Sequence, residues 1–344
     1  MKIVCSIGPN VKNNQCFDKL VESGMDIMRI NFSHINYVNT RAYIKYVKEN
    51  FKNINIVGDL QGNKLRVSKL FNEQKKVFPK EKVFFCDEEF YVNNKSIIED
   101  KIIIPIAFQG EFSSICKVDK ILMKDGTMEF KVLETGKNNN ILKAEVIRGG
   151  IIRKEKGINV PLMNRNSLKL TAKDKNDIIF SLENNLDVIC LSYVTKEEDI
   201  RELKAFLNEV IKNNNNYTYP KIWAKIECRD GVNNFKEILD LVDGIIIGRG
   251  DLYSEVELYE IPIIQENIIN AMKDSKKELI IATYVMNSMK NSKKPTIPEI
   301  DDIYNFIKNK VDGIMLAGEI TIGKYPYDTI NITRKLIKEF SSII

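Results

Sequence analysis

The sequence predicts an α/β fold, namely a (β/α)8 or TIM barrel with an all-β lid domain inserted after the third strand. Three observations predict it. Eight short apolar runs alternate with segments of helical periodicity, one long interval lacks that periodicity, and polar side chains gather where the apolar runs end. Strands that alternate with helices are typical of α/β barrels, whose functional residues lie at the carboxyl ends of the strands.

The eight apolar runs have the length of strands. Their near-continuous Ile, Val and Leu indicates burial on both faces of a parallel sheet. The runs are IVCSI (3–7), DIMRINF (26–32), NINIVGD (53–59), DVICLSY (187–193), KIWAKIE (221–227), DGIIIGR (243–249), ELIIATY (278–284) and DGIMLAG (312–318).

Segments of helical periodicity separate these runs, for example NNFKEILDL (233–241) and ENIINAMKDSK (266–276). In TIPEIDDIYNFIKN, Thr296 and Glu299 have the spacing of a capping box and precede an apolar periodic run. This pattern predicts a helix that begins directly after Thr296.

One interval, residues 67–160, has no helical period and consists of short β-like pieces between turns. The pieces are KVFFCDEEFYV (82–92), KIIIPI (101–106), ILMKDGTMEFKV (121–132) and ILKAEVIRGGII (141–152). We therefore predict two domains: a barrel from residues 1–66 and 161–344, and a β-rich lid from residues 67–160. Without the lid, about 250 residues remain, which is typical of a bare barrel.

Composition excludes several classes of function. The 344 residues are 44% hydrophobic and 29% charged, with a net charge of +5, which argues against nucleic-acid or membrane-surface partners. The six cysteines show no CxxC spacing, which predicts reduced thiols in a cytoplasmic protein, and the N-terminus does not read as a signal peptide or anchor. His34 is the only histidine, so a His-based zinc site and a Ser-His-Asp triad are excluded.

Polar residues lie at the carboxyl end of almost every predicted strand: Arg29, Asn31, Ser33, Asp59, Ser192, Lys225, Glu227, Arg249, Asp251, Thr283 and Glu319. Taken singly, such residues are often just solvated where a strand emerges. Lys225 and Glu227 are stronger candidates because they share one face of a run that otherwise reads as an interior strand. Buried charges must be paired or bind an ion. Carboxylates with Lys and Arg between them suit Mg²⁺ or Mn²⁺ and a phosphate, which indicates metal-assisted phosphoryl or enolate chemistry.

Several motifs together resemble the pyruvate kinase family, in the family's order and at compatible spacing. They are KIVCSIGP (2–9), GMDIMRINFSH (24–34), DLQGNKLRV (59–67), KGINVP (156–161), AKIE (224–227), GRGDL (248–252) and IMLAGE (314–319). The resemblance runs from the first residue to about residue 340. It implies a phosphotransferase that converts phosphoenolpyruvate and ADP to pyruvate and ATP with a divalent metal, Mg²⁺ or Mn²⁺.

The resemblance also implies roles for matching positions. Glu227 and Asp251 would ligate the divalent metal, and Lys225 would neutralise the phosphoryl group in transfer. The phosphate would lie against Arg29 and Lys225, and the carboxylate against the backbone N–H groups of Gly250 and Asp251. Thr283, with Glu319 in its network, would help to deliver a proton to the enolate carbon. The catalytic set is thus Arg29, Lys225, Thr283 and Glu319.

The nucleotide side of the site is implied in the same way. The residues are Asn31, His34, Arg66, Asp125 and Lys156, and for His34 a purely structural role is equally compatible. The lid would close over ADP and exclude water, and Asp125 in KDGTMEF would reach the metal-bound nucleotide on closure.

Two departures from the family pattern carry predictions. Asn31, Ser33 and Asp59 would line a monovalent-ion corner, and Lys64 stands where K⁺-dependent members have Glu. This sequence therefore predicts activity without K⁺. The chain also ends where the last helix of the barrel should finish. We accordingly expect the family's C-terminal allosteric domain to be absent, and a monomer or a barrel-to-barrel homodimer.

Smaller differences leave the substrate open. Tyr253 stands where the family has Gly, and it either reshapes the pocket or fills space. Asn63, Tyr284, Ile297, Ile300 and Ala317 also depart from the pattern. The alternatives are a family member acting on another enol phosphate or acceptor, a catalytically silent regulatory homologue, and an unrelated metal-dependent aldolase or lyase barrel.

Overall fold

The structure is a computed structural model that describes residues 1–94, 101–108, 110–136, 140–165, 169–214 and 216–344. Two closed barrels form its framework. The strands are β1 (Lys2–Ser6), β2 (Ile27–Asn31), β3 (Asn55–Leu60), β4 (Leu65–Val67), β5 (Gln74–Val77), β6 (Lys82–Cys86), β7 (Ile102–Ala107), β8 (Lys120–Met123), β9 (Met128–Thr135), β10 (Ile141–Arg148), β11 (Gly150–Arg153), β12 (Gly157–Asn159), β13 (Val188–Leu191), β14 (Lys221–Ile226), β15 (Gly244–Gly248), β16 (Glu278–Ala282) and β17 (Gly313–Leu316).

The α-helices lie between and after these strands. They are α1 (Asn14–Glu22), α2 (Tyr37–Asn50), α3 (Glu88–Asn93), α4 (Ala172–Glu183), α5 (Glu197–Asn213), α6 (Arg229–Asn233), α7 (Phe235–Asp240), α8 (Arg249–Glu255), α9 (Glu260–Met272), α10 (Ile297–Lys308), α11 (Gly318–Thr321) and α12 (Pro326–Ile343).

The first barrel, here called the main barrel, contains eight parallel strands in the order β1-β2-β3-β13-β14-β15-β16-β17, and β17 closes against β1. Each of the eight predicted apolar runs overlaps one of these strands, so the predicted (β/α)8 barrel is confirmed. The predicted capping box is also confirmed, because helix α10 begins after Thr296 with reciprocal bonds between Thr296 and Glu299.

The second barrel contains seven of the strands between Leu65 and Asn159, in the order β10-β6-β7-β4-β12-β8-β9, while β5 and β11 pair as a separate two-stranded antiparallel sheet. Part of the expected β structure is wrong. In KVFFCDEEFYV only the first five residues form a strand, and EEFYVN forms helix α3. Asp87 explains the difference, because its side chain caps the helix at the Phe90 N–H and two acidic residues occupy the first turn. Residues 95–100, 109 and 137–139 of the predicted lid lie outside the described residues.

Three apolar cores support this architecture. Side chains inside the main barrel form one core, which includes Val57, Trp223, Ile246 and Met315. A larger core lies between the main-barrel strands and their helices, and a third fills the second barrel. Side chains therefore fill the interior of the main barrel, and in barrels of this kind the functional site lies at the carboxyl ends of the strands. All six cysteines are free thiols, as predicted.

Candidate active site

A cavity of about 350 Å³ lies at the carboxyl end of the main barrel, against the second barrel. We call it the central cavity. The two barrels both contribute to its lining, which consists of Arg29, Asn31, Ser33, His34, Gln61, Lys64, Arg66, Lys124, Asp125, Gly157, Asn159, Ser192, Lys225, Glu227, Asp251, Thr283 and Ala317. Most of the residues proposed from the strand ends therefore meet in one place.

Strand β14 positions two of these residues by simple alternation. Trp223 belongs to the interior core of the main barrel, whereas Ala224 and Ile226 pack against the helices outside. Lys225 and Glu227, at two and four residues from Trp223, consequently face the interior. Gly248 on the neighbouring strand is needed for this arrangement, because a Cβ atom added there would lie 2.6 Å from Cγ of Glu227.

The Lys225 ammonium is the positive centre of the cavity. Its Nζ lies 3.1 Å from Oε1 of Glu227 and 3.4 Å from Oδ2 of Asp59. Burial opposes the charge on Lys225, but the two carboxylates outweigh burial and raise the pKa of the ammonium. Lys225 therefore stays protonated at neutral pH and presents a fixed positive charge.

The two carboxylates expected to hold a metal differ in their surroundings. Burial raises the pKa of Glu227 to about 7 in spite of Lys225, and the charge of Asp251 adds to the rise. Burial would also raise the pKa of Asp251, but the Lys64 ammonium and the Asn159 amide outweigh it and hold that pKa at about 2. Lys64 Nζ lies 2.6 and 2.8 Å from the two Asp251 oxygens.

Arg29 lies beside Lys225, held by a buried carboxylate. Its Nε donates to Oδ2 of Asp59 at 2.7 Å, and its Nη1 donates to Oγ of Ser6 at 2.7 Å. The Oδ1 atom of Asp59 accepts a bond from Oγ of Ser192 at 2.8 Å. Asp59, only 1% exposed, is thus the shared counterion of Arg29 and Lys225.

Thr283 and Glu319 do not form one network in this structure. Thr283 lines the central cavity with φ +72°, a conformation that is unusual for a residue other than glycine, and its carbonyl accepts from Nε of Arg249. Glu319 is 2% exposed, lies outside the cavity lining, and accepts from the Ala317 N–H at 3.0 Å. Gly250 packs against Thr283, where a Cβ would lie 2.8 Å from Cγ2 of Thr283.

The residues expected on the nucleotide side line three adjoining cavities. His34 borders all three: the central cavity, a cavity of about 470 Å³ along β2 and α2 that also borders Asn31, and one of about 640 Å³ beside the second barrel that also borders Lys156. Arg66 and Asp125 border the central and second-barrel cavities. Burial and the Arg66 charge lower the pKa of His34, so its imidazole is neutral at pH 7.

Two of the four residues of the predicted monovalent-ion corner are bonded to each other, because Oδ1 of Asn31 accepts from the Ser33 N–H at 3.1 Å. Asn31, Ser33 and Lys64 line the central cavity, but Asp59 bonds Arg29, Ser192 and Lys225 instead. Ser33 Oγ accepts from Nη2 of Arg66 at 3.0 Å. The Lys64 ammonium contacts Asp251, so its charge lies at the expected metal ligand.

The sequence interpretation missed a buried network beside Asp251. Asn159 Nδ2 donates to Oδ1 of Asp251 at 3.1 Å and also to the hydroxyl of Tyr193. Tyr193 and Arg165 both contact Glu255, and the Arg165–Glu255 pair is almost fully buried. Asn159 lies within the motif KGINVP and Glu255 follows GRGDL, so both had a local signal. Arg165 had none, because its partner lies 90 residues away.

The two tyrosines that depart from the family pattern contact the second barrel. Tyr284 Oη donates to Oδ2 of Asp125 at 3.1 Å. Tyr253 does not line the central cavity, and a Cβ atom added at Gly126 would lie 3.5 Å from its Cδ1. Tyr253 therefore lies against the turn between β8 and β9, outside the lining of the central cavity.

The fold and the site define a (β/α)8-barrel protein whose lysine–carboxylate cavity is covered by a second barrel. The family model described as "Pyruvate kinase, barrel domain" matches residues 1–330. The chain belongs to the pyruvate kinase family, which excludes the unrelated aldolase or lyase barrel.

Curated relatives agree with this assignment. A protein named pyruvate kinase from Thermococcus litoralis is 33% identical over 341 residues, which cover 98% of this chain and 69% of the relative. One of the same name from Sporosarcina psychrophila is 32% identical over 96% of this chain and 55% of its own length. A third, from Clostridium perfringens, is 31% identical over 98% of this chain and 69% of its own length. The chain thus spans between about half and about two thirds of the length of these relatives. Among the described residues, no helix has the length and apolar character needed to cross a bilayer.

Proposed function

We propose that the chain transfers the phosphoryl group of phosphoenolpyruvate to ADP, giving pyruvate and ATP. The observation that carries the proposal is the Lys225 side chain, which is 12% exposed and whose protonated ammonium lies 3.1 Å from the carboxylate of Glu227. A positive charge held in place at the site stabilises the negative charge of a phosphoryl group in transfer. The family supports this choice of chemistry.

The remaining residues would bind and orient the substrate. Arg29 lies next to Lys225 through their shared counterion, so the two cations would hold the phosphate from one side. The backbone N–H groups of Gly250 and Asp251, in the first turn of α8, would receive the substrate carboxylate. Thr283, which lines the same cavity, would help to pass a proton to the enolate carbon, with Glu319 supporting the adjacent loop at Ala317.

A divalent metal fits the donor set. Glu227 and Asp251 both face the central cavity and offer hard oxygen donors, which suit Mg²⁺ or Mn²⁺. No group of three or more His, Cys, Asp or Glu positioned for a metal occurs among the residues that the structure describes. Substrate oxygens and water would therefore complete the coordination. When bound, the ion would neutralise charge between the substrate's carboxylate and phosphate.

The nucleotide would lie across the cavities that meet at His34. Arg66 Nε is a buried donor that has no hydrogen-bond partner among the described residues, and it borders two of these cavities. A buried unpaired donor of a charged group is costly, so an anionic ligand such as a nucleotide phosphate would satisfy it. Asn31 and Asp125 would contact the nucleotide from the two barrels, with Lys156 at the outer edge.

The second barrel would act as a mobile lid, which corresponds to the predicted domain at residues 67–160. Its tip residues Lys124 and Asp125 line the central cavity, so opening the lid would uncover the site. Closure would exclude water from the reacting phosphate.

Activity without K⁺ is also proposed. The Lys64 ammonium already places a fixed monovalent charge at Asp251. Assays in KCl, NaCl and tetramethylammonium chloride at equal ionic strength should give similar rates. A strict requirement for K⁺ would contradict this role of Lys64.

The substrate itself is tested with a panel. Phosphoenolpyruvate and other enol phosphates are compared at equal enzyme concentration with several nucleoside diphosphates, in the wild type and in Lys225→Met. We expect the wild type to turn over phosphoenolpyruvate and ADP faster than the other pairs, and Lys225→Met to abolish this turnover. Preference for another enol phosphate or acceptor would favour the second candidate, and metal and nucleotide binding without any turnover would favour a silent regulatory homologue.

The setting of the enzyme follows from its chemistry. The six free thiols suit a reducing compartment, so we place the chain in the cytoplasm. We expect a monomer or a barrel-to-barrel homodimer. The molar mass in solution, measured by light scattering coupled to size-exclusion chromatography, distinguishes the two.

A further inference from the structure

Tyr193 has an unusual backbone position next to the site. It lies two residues after the end of β13, is 3% exposed, and has φ +56°, in the left-handed region that residues other than glycine rarely adopt. Its backbone N–H donates to Oε2 of Glu227 at 3.1 Å. Strained conformations of this kind persist where the surrounding structure holds them, and they gather at functional sites. Here the strained turn directs a backbone donor at a carboxylate of the central cavity.

The side chain of Tyr193 reaches the other carboxylate through one intermediary. Asn159 Nδ2 donates both to the Tyr193 hydroxyl and to Oδ1 of Asp251. The Tyr193 hydroxyl in turn donates to Oε1 of Glu255 at 3.4 Å. The hydroxyl therefore accepts from one side and donates to the other, which fixes the orientation of the Asn159 amide.

The far end of this chain of bonds is rigid. Nη2 of Arg165 lies 3.0 and 3.1 Å from the two oxygens of Glu255, and the side chains are 2% and 0% exposed. Two cations also lie over the Tyr193 ring, with Nζ of Lys64 at 5.9 Å and the guanidinium carbon of Arg165 at 5.7 Å from its centroid. Neither Tyr193 nor Asn159 has been needed to explain substrate binding, yet both are held in place from several directions.

We propose that Tyr193 is a positioning residue for the divalent cation, holding Glu227 through its backbone and Asp251 through its hydroxyl and Asn159. The inference rests on the proposed metal site of Glu227 and Asp251. Groups that hydrogen-bond metal ligands orient them, and their loss typically weakens metal affinity by about 10- to 100-fold. Tyr193→Phe removes the hydroxyl and keeps the ring and the backbone bond, so we expect the low end of that range.

The test is the dissociation constant of Mn²⁺, measured by electron paramagnetic resonance on the whole chain without substrate. Tyr193→Phe should raise it about tenfold. The control is Tyr46→Phe, which removes a hydroxyl bonded to Asp18 on the helical side of the main barrel and should leave it unchanged. Circular dichroism establishes that each variant is folded.

A double substitution makes the test independent of general destabilisation. Asn159→Ala should weaken Mn²⁺ binding by a similar factor. The double variant Tyr193→Phe with Asn159→Ala should bind Mn²⁺ no more weakly than the weaker of the two single variants, because both substitutions break the same chain of hydrogen bonds. If the two substitutions instead multiply their effects on the Mn²⁺ dissociation constant, Tyr193 does not act on Asp251 through Asn159, and the proposal is overturned. Equal Mn²⁺ affinity in wild type and Tyr193→Phe would overturn the inference, as would a wild type that does not bind Mn²⁺.

Turnover separates this inference from the proposed function. With phosphoenolpyruvate and ADP, the Mn²⁺ concentration for half-maximal rate should rise about tenfold in Tyr193→Phe while kcat at saturating Mn²⁺ changes less than about twofold. A fall in kcat with unchanged metal dependence would refute the positioning role. If no pyruvate forms at all but Mn²⁺ affinity still depends on Tyr193, the proposed reaction fails and the inference stands.

Discussion

Asp59 is the residue whose substitution should have the largest effect on the buried charges of the site. It is 1% exposed and accepts bonds from Arg29 at 2.7 Å, Ser192 at 2.8 Å and Lys225 at 3.4 Å. Burial alone would raise the pKa of Asp59, but Lys225 and Arg29 outweigh it and lower that pKa. Asp59→Asn keeps the shape of the side chain and removes the negative charge, leaving two cations with less compensation.

The expected loss of stability follows from this geometry. Removing one partner from a buried ion pair typically costs about 3–5 kcal/mol, because the other charge stays buried. The control is Glu183→Gln, which removes the partner of Arg41 where the side chains are 39% and 55% exposed. Such an exposed pair contributes about 0–1 kcal/mol. The contrast between the two substitutions is therefore several kcal/mol.

Trp223 provides the assay. It is the single tryptophan and lies in the interior of the main barrel, two residues before Lys225, so its fluorescence follows unfolding of this barrel in urea. We expect Asp59→Asn to lower the free energy of unfolding by at least about 3 kcal/mol and to reduce kcat, since Lys225 and Arg29 lose their anchor. An Asp59→Asn variant that unfolds like Glu183→Gln and keeps its turnover would refute the counterion role.

Two further predictions concern other parts of the molecule. Burial opposes the charge of Glu299, but bonds from Ser288 and the Thr296 N–H outweigh it and lower its pKa. Its stabilisation is therefore present above the unfolded pKa of about 4.3 and is lost as pH falls through the folded value. Glu299→Gln should cost about 1–2 kcal/mol at pH 7, and a constant difference in urea titrations down to pH 3 would contradict this. Tyr284→Phe removes the bond to Asp125. It should speed amide hydrogen exchange in residues 124–127 about fivefold without changing the unfolding monitored by Trp223. Unchanged exchange would show that this contact does not hold the two barrels together.

The main barrel was predictable because its strands are buried on both faces. Continuous Ile and Val in runs such as DGIIIGR leave few alternatives to a parallel sheet, and the Thr296–Glu299 spacing marked a helix start correctly. The second barrel was harder to predict in detail. In EEFYV the side-chain cap at Asp87 outweighed the strand preference of aromatic and β-branched residues, so a helix formed there.

The candidate site was predictable where neighbours in sequence are neighbours in space. Lys225 and Glu227 share a strand face, and alternation alone brings them together. Contacts between distant segments were not accessible in the same way. The bond of Lys64 to Asp251 spans 187 positions, and that of Tyr193 to Glu255 spans 62. The expected ion corner at Asn31, Ser33, Asp59 and Lys64 rested on similarity to the family. In the structure, Asp59 pairs with Arg29 and Lys225, whereas Lys64 pairs with Asp251.

The central claim is that this cavity transfers a phosphoryl group with the help of a divalent metal. The most direct measurement is ADP-dependent formation of pyruvate from phosphoenolpyruvate with Mg²⁺, in the wild type and in Glu227→Ala. The account predicts turnover in the wild type that disappears in the folded variant and after treatment with a chelator. A wild type that forms no pyruvate, or a Glu227→Ala variant that forms it at the same rate, would contradict the account.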